Sequence, residues 1–143
     1  MQIDIQTLKP GEQKPFPQSL GFGCCFADRM FSQRYAPDKG WHDARIGPYE
    51  PFVMDPASAV FHYGQEIFEG LKAYRRPDGK INLFRPWENA ARFNRSAHRM
   101  AMAELDPEDH VEAIAALVSV VHESVPSQPD SSLYVRPTLI ATD

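Results

Sequence analysis

The sequence predicts an α+β domain in which an antiparallel sheet carries two main helices on one face. Three observations predict it. Two apolar-alternating runs flank a Pro-Asp-Gly turn, two amphipathic helical periods follow in succession, and a last extended segment closes the chain. At 143 residues the chain is long enough for one ordinary domain with a core of its own. Its 43% hydrophobic, 11% aromatic and 24% charged residues exclude a disordered or fibrous chain, and no apolar run approaches the roughly 18 residues of a membrane span. A net charge of -4 leaves no whole-chain field to attract nucleic acid or an anionic membrane. Thirteen prolines, nearly twice the usual share of about 5%, assign much of the chain to turns and extended segments.

Residues 1–20 carry three prolines and little periodicity, and read as an extended arm ahead of a body spanning residues 21–143. Phe22 to Tyr35 is aromatic-rich and free of proline, which reads as a strand or a pair of strands. Trp41 to Pro56, broken by Gly47-Pro48, Glu50-Pro51 and Asp55-Pro56, reads as loop with short extended pieces. A short strand is expected near Ala59–Tyr63. Glu69–Tyr74 and Lys80–Phe84 then form a hairpin around Pro77-Asp78-Gly79. Pro86 suits a first helical turn, and Ala90, Phe93, Ala97 and Met100 make one apolar stripe on a helix from Trp87 to about Ala103. Asp106 caps a second helix with Pro107 in its first turn, whose buried face is Val111, Ile114, Leu117, Val118 and Val121, and Pro126 and Pro129 end it. Leu133 to Ala141 is the last strand, with Pro137 requiring an edge or an interruption.

Few residues point to chemistry by type and spacing alone. Arg92, Arg95 and Arg99 share one side of the first main helix, with Arg85 just before it, so they form either an anion-binding stripe or a solvated face paired with Glu88 and Glu104. His62 and Tyr63 sit in a run whose two glycines let backbone or a ligand approach closely, which fits a ligand site, although composition favours core filling. Tyr134 and Arg136, two apart in a strand, face the same way and could grip a carboxylate. Cys24 and Cys25 are adjacent, unsuited to bridging each other, and read as reduced small hydrophobes in a strand. No charged-then-apolar leader follows Met1, which points to the cytosol. The sequence holds no glycine-rich phosphate loop, no zinc-spaced Cys/His cluster or other metal set, and no nucleophile elbow. Lys72 is the only lysine in a dense segment, and no apolar pair marks it as a desolvated amine.

Several segments together carry a family resemblance: Phe61-His62-Tyr63-Gly64, Ile67-Phe68-Glu69-Gly70-Leu71-Lys72-Ala73-Tyr74, Ile81-Asn82-Leu83-Phe84-Arg85-Pro86-Trp87, Ala91-Arg92-Phe93-Asn94-Arg95-Ser96-Ala97 and Leu133-Tyr134-Val135-Arg136-Pro137-Thr138. In this order and spacing, from Phe22 to Asp143, the chain resembles the branched-chain amino acid aminotransferases, fold-type IV enzymes that use pyridoxal phosphate. The resemblance implies the small domain of that fold. It also implies that Arg92 holds the cofactor phosphate and that Phe22, Tyr63, Phe68, Tyr134 and Arg136 line the substrate pocket. There the aromatic walls would accept leucine, isoleucine or valine, and the tyrosine–arginine set the distal carboxylate of glutamate or 2-oxoglutarate.

Members of that family are more than twice this length, and their Schiff-base lysine lies in a second domain. Lys72 matches a family lysine that is not that residue, so no residue here is expected to be catalytic. The expectation is therefore an N-terminal domain whose partners are the missing C-terminal domain and, by analogy, further copies in a homo-oligomer. The isolated chain is expected to be inactive, without covalently bound cofactor, and to expose an open aromatic face. Two alternatives stand beside this one: another fold-type IV enzyme, namely a D-amino acid aminotransferase or an aminodeoxychorismate lyase, and a non-enzymatic interaction module.

Overall fold

A computed structural model describes residues 1–17 and 19–143. The chain begins with a two-residue strand, β1 (Asp4–Ile5), that pairs in parallel with β3 (Gly40–Pro48). Residues 1–20 are thus partly built into the domain: Leu8 is buried, and the Arg29 guanidinium donates to the Gln6 carbonyl. β2 (Arg29–Ala36) starts later than expected, because residues 22–24 turn and Gly23 takes a positive φ of 72°, which leaves Cys24 and Cys25 exposed ahead of the strand rather than packed in it.

The stretch read as loop from Trp41 is a correction. Residues 40–48 are the nine-residue antiparallel partner of β2. The turn Pro37-Asp38-Lys39-Gly40, with Gly40 at φ 68°, makes the hairpin, and Pro48 ends the strand opposite Arg29. Ala44, Ile46 and Gly47 are buried along β3. Only the remainder, residues 49–58, is loop.

A second correction falls on Ala59–Tyr63, which is a one-turn helix, α1. It ends because Gly64 adopts a left-handed conformation (φ 59°) and returns its N–H to the Val60 carbonyl. The strand expected over Glu69–Tyr74 begins two residues later, as β5 (Leu71–Arg75), and an unexpected short strand, β4 (Glu66–Phe68), precedes it; the two are separated where Glu69 turns into the protein. The hairpin is as expected: β5 pairs with β6 (Ile81–Leu83) around the Pro77-Asp78-Gly79 turn.

The two main helices form where the apolar stripes place them. α2 runs Pro86–Arg99 and stops short of Ala103 because Ala101 takes a positive φ of 54°. α3 runs Pro107–Val120 behind an Asp106 cap whose carboxylate accepts from the Glu108 N–H at 2.8 Å. Pro137 interrupts the last extended segment into β7 (Leu133–Val135) and β8 (Thr138–Ile140). That break sends each half to a different sheet: β7 pairs with β5, and β8 with β4.

The expected α+β class holds, with the sheet divided into β1-β3-β2, β4-β8 and β6-β5-β7. Leu71, Ala73 and Val135 of β5 and β7 pack on Ile114 and Val118 of α3, together with Val125. Ile67 of β4 packs on Phe93 and Ala97 of α2. The opposite sides of β4 and β5 stay open, with Phe68, Lys72 and Tyr74 exposed. That face carries the candidate site.

His110 of α3 lies edge-on to Phe93, ring centroids 4.7 Å apart, and is buried with neither ring nitrogen hydrogen-bonded. Burial lowers its pKa from the ordinary 6.5, against the smaller upward pull of the Glu69 carboxylate. At pH above about 6.5 the ring is neutral in both folded and unfolded chains. Below it the unfolded chain takes up the proton first, so stability falls with pH until the folded-state value is passed. Urea denaturation at about pH 7.5 and about pH 5.5 should show this loss, and His110→Leu should remove part of it. An unchanged pH slope in the variant would contradict the assignment.

Candidate functional site

Glu69 sits between the two open-face strands and points the other way, into the interior, where its side chain is only 10% exposed. A carboxylate placed there needs partners. Arg92 supplies a two-pronged pair, Nε to Oε1 at 2.9 Å and Nη2 to Oε2 at 2.7 Å. Asn89, one turn earlier on α2, donates Nδ2 to Oε2 at 2.9 Å and to the Gly70 carbonyl at 3.1 Å. Burial alone would raise the Glu69 pKa, but the Arg92 and Asn89 hydrogen bonds outweigh it and the net shift is downward. The hydrogen bond and charge of Glu69 in turn raise the already high pKa of Arg92.

The consequence is a fixed guanidinium. Arg92 is 52% exposed, so only part of it is spent on Glu69, and Nη1 makes no hydrogen bond among the described residues. It lines a groove of about 470 Å³ with Glu66, Ile67, Arg95, Ser96, Arg99 and Met100. The solvated-face reading of the stripe forms in part: Arg92, Arg95 and Arg99 are exposed and Glu88 pairs with Arg85, whereas Glu104 pairs with His98, so neither acidic residue takes up Arg95 or Arg99. An excess of positive charge therefore lines this groove, and it fits a phosphate-class anion.

Glu69 separates this groove from an aromatic cluster on the open face. The Phe22 and Tyr134 rings meet edge to face at 5.4 Å. The Arg136 guanidinium carbon lies 4.8 Å from the Phe68 ring centre and 5.3 Å from that of Tyr134. Four of the five residues expected in the pocket thus meet: Phe22, Phe68, Tyr134 and Arg136. Tyr63 does not join them. It ends α1, is 82% exposed, and its only ring neighbour among the described residues is His62.

Type and spacing missed two residues of this arrangement and named a third, Gly70, only as a site of close approach. Glu69 and Asn89 set Arg92, yet a carboxylate and an amide 20 residues apart give no spacing signal. Gly70 is required for another reason: a Cβ there would fall on the Tyr134 hydroxyl and lie 2.8 Å from Cζ. The ring lies over that residue, which only glycine permits. No group of three or more His, Cys, Asp or Glu residues suited to a metal occurs among the described residues. Among the described residues, no helix is long and apolar enough to cross a membrane.

Comparison with known proteins bears out the resemblance seen in the sequence. The chain is 52% identical over 132 residues to branched-chain-amino-acid transaminase 1 of Bacillus subtilis, a match covering 92% of this chain and 37% of the relative. It is 50% identical over 124 residues to the branched-chain-amino-acid aminotransferase of Mycolicibacterium smegmatis, covering 86% of this chain and 34% of that one. The chain therefore spans little more than a third of the curated relatives it matches. Among solved structures it is similar to a T.th. branched-chain amino acid aminotransferase complexed with N-(5'-phosphopyridoxyl)-L-glutamate. That match has a TM-score of 0.55 and 30% identity, over 66% of this chain and 30% of the other. The Escherichia coli branched-chain amino acid aminotransferase shares the fold, with a TM-score of 0.56, over 68% of this chain and 30% of that one. No family model matches the chain.

Gly70→Ala should force the Tyr134 ring out of its seat. The expected cost is about 1–3 kcal/mol of stability, as for overpacking. The ring resonances of Phe22 and Tyr134 should shift together in NMR spectra, while those of Phe93, on the far side of Glu69, stay put. Unmoved Tyr134 resonances would contradict the seat.

Proposed function

We propose that this chain is the N-terminal small domain of a pyridoxal-phosphate-dependent branched-chain aminotransferase. The complete protein would transfer the amino group of leucine, isoleucine or valine to 2-oxoglutarate. The observation that supports this most directly is the pair of sites on either side of Glu69. One is an anion groove with a clamped arginine, the other an apolar pocket carrying one cation, a combination suited to a phosphorylated cofactor next to a substrate with two possible side chains.

When bound, pyridoxal phosphate supplies an electron sink for the amino acid's α-carbon. This chain's residues bind and orient. Arg92, held by Glu69, takes the phosphate, and its orientation is set before the ligand arrives. Phe22 and Phe68 give apolar area for a branched aliphatic chain. Arg136, with the Tyr134 hydroxyl beside it at 3.4 Å, gives a charge-assisted partner when the side chain ends in a carboxylate. No residue here is assigned the amine that holds the cofactor or moves the α-proton. Those roles go to a lysine of the remaining part of the protein. Tyr63, outside the cluster and exposed, is assigned to the site of a neighbouring subunit in a homo-oligomer, in the cytoplasm.

The other fold-type IV activities are less well supported, since relatives at 45–52% identity are branched-chain aminotransferases. The complete protein should convert leucine and 2-oxoglutarate and leave D-alanine and aminodeoxychorismate untouched. The 143-residue chain alone should show no turnover and no lysine adduct after borohydride trapping with pyridoxal phosphate. In the complete protein Arg92→Leu should weaken cofactor retention about 10- to 100-fold, the range expected for loss of a charged hydrogen bond. Absorbance titration with pyridoxal phosphate measures that loss, and turnover by the isolated chain would refute the division of roles.

A further inference from the structure

The open face of the β6-β5-β7 sheet holds a second cation that the reading above does not use. Lys72 stands on β5 directly opposite Tyr134 of β7. Directly opposed side chains on one sheet face start about 4.5–5.5 Å apart. Its neighbours Leu71 and Ala73 are buried, so alternation turns Lys72 outward, to the side from which Phe22 covers Tyr134. Two residues on from Tyr134 is Arg136. Arg136 lies just past the end of β7, outside the strand pairing expected for it, but its guanidinium carbon stands 5.3 Å from the Tyr134 ring centre. Both cations therefore neighbour one tyrosine, Arg136 through that contact and Lys72 through the strand register.

Their situations differ. The Arg136 guanidinium lies against the rings of Phe68 and Tyr134. Lys72 makes no hydrogen bond or ion pair among the described residues, and it lines a cleft of about 460 Å³ with Tyr74, Arg75 and residues 127–132. Arg75 is already committed, donating Nε to the Val125 carbonyl at 3.1 Å, Nη1 to the Gly79 carbonyl at 3.3 Å and Nη2 to the His122 carbonyl. The serines at 127, 131 and 132, with Gln128 and Asp130, make this cleft polar. A lysine on a flexible four-carbon stem can rest there and swing out.

We propose that Lys72 is a second cationic contact, beside Arg136, for the distal carboxylate of the dicarboxylic amino-group partner, and that it withdraws into the polar cleft when a branched aliphatic chain occupies the pocket. A pocket that must accept both leucine and a dicarboxylate has a conflict, because an unpaired cation against an aliphatic chain is costly. Stacking on two rings shields Arg136, and retreat into the cleft removes Lys72.

This inference rests on the aminotransferase reading and is tested in the complete enzyme. Lys72→Met should raise KM for 2-oxoglutarate about 10-fold, as loss of one charged contact would, while KM for leucine and the rate of the leucine half-reaction stay unchanged. Lys72→Arg should restore most of the loss, and its recovery separates charge from any packing effect in the methionine variant. Equal changes for leucine and 2-oxoglutarate, or no change for 2-oxoglutarate, would overturn the role of Lys72 while leaving the enzyme assignment intact. A wild-type enzyme that does not transaminate leucine would instead overturn that assignment, and this inference with it.

Discussion

A buried carboxylate organises this domain. Glu69 breaks what would be one continuous strand into β4 and β5, and in turning inward it becomes the point to which α2 is tied through Asn89 and Arg92. An unpaired charge there would be untenable, so the pairing constrains three things together: the kink between the strands, the rotation of α2 about its axis, and the direction of the guanidinium. Phe68 and Gly70, the residues on either side, inherit their positions from the same kink. The aromatic cluster and the basic groove are therefore two faces of one constraint.

That arrangement separates chemistries that interfere if mixed. The groove carries Arg92, Arg95 and Arg99 and suits an anion, whereas the open face is mostly ring surface. A cation placed freely in the second would repel an aliphatic chain by its need for water. Arg136 avoids this by lying against Phe68 and Tyr134, where the ring faces supply part of the electrostatic compensation that water otherwise gives. The exposed rings of Phe22 and Phe68 leave a surface whose burial against further protein would be favourable.

Much of the scaffold was legible in the chain, and the failures have physical causes. The apolar stripe of α2, the Asp106-Pro107 start of α3, the Pro-Asp-Gly hairpin and the break at Pro137 are local signals, and each formed where it was read. β3 was missed because prolines crowd residues 48–56 and drew the whole stretch into loop, although only Pro48 belongs to the strand. Ala59–Tyr63 was misjudged because five apolar and aromatic residues carry no period long enough to distinguish one helical turn from a strand, and Gly64 decides the matter. Within the site, Arg92 and four pocket residues were named through the family resemblance. Glu69 and Asn89 act through contacts across 19 or more residues, which no single-sequence pattern displays, while the glycine at 70 signalled a close approach but not that Tyr134 makes it.

The break at Pro137 also bears on the order in which the domain assembles. β8 meets β4 with Ile140 opposite Glu66, and β7 meets β5 with Val135 opposite Leu71, so the last strands close loops of more than 60 residues. Such distant pairings pay loop-closure entropy before any contact repays it. The β5-β6 hairpin and the two helices, by contrast, need only neighbouring residues. During synthesis the latter can form early, while one edge of β5 and of β4 stays unpaired until residues 133–140 arrive. Tyr134 and Arg136 travel on that segment, so the Phe22, Phe68, Tyr134 and Arg136 cluster assembles only after it has emerged, and the nascent chain passes through a stage that exposes bare strand edges beside Phe68.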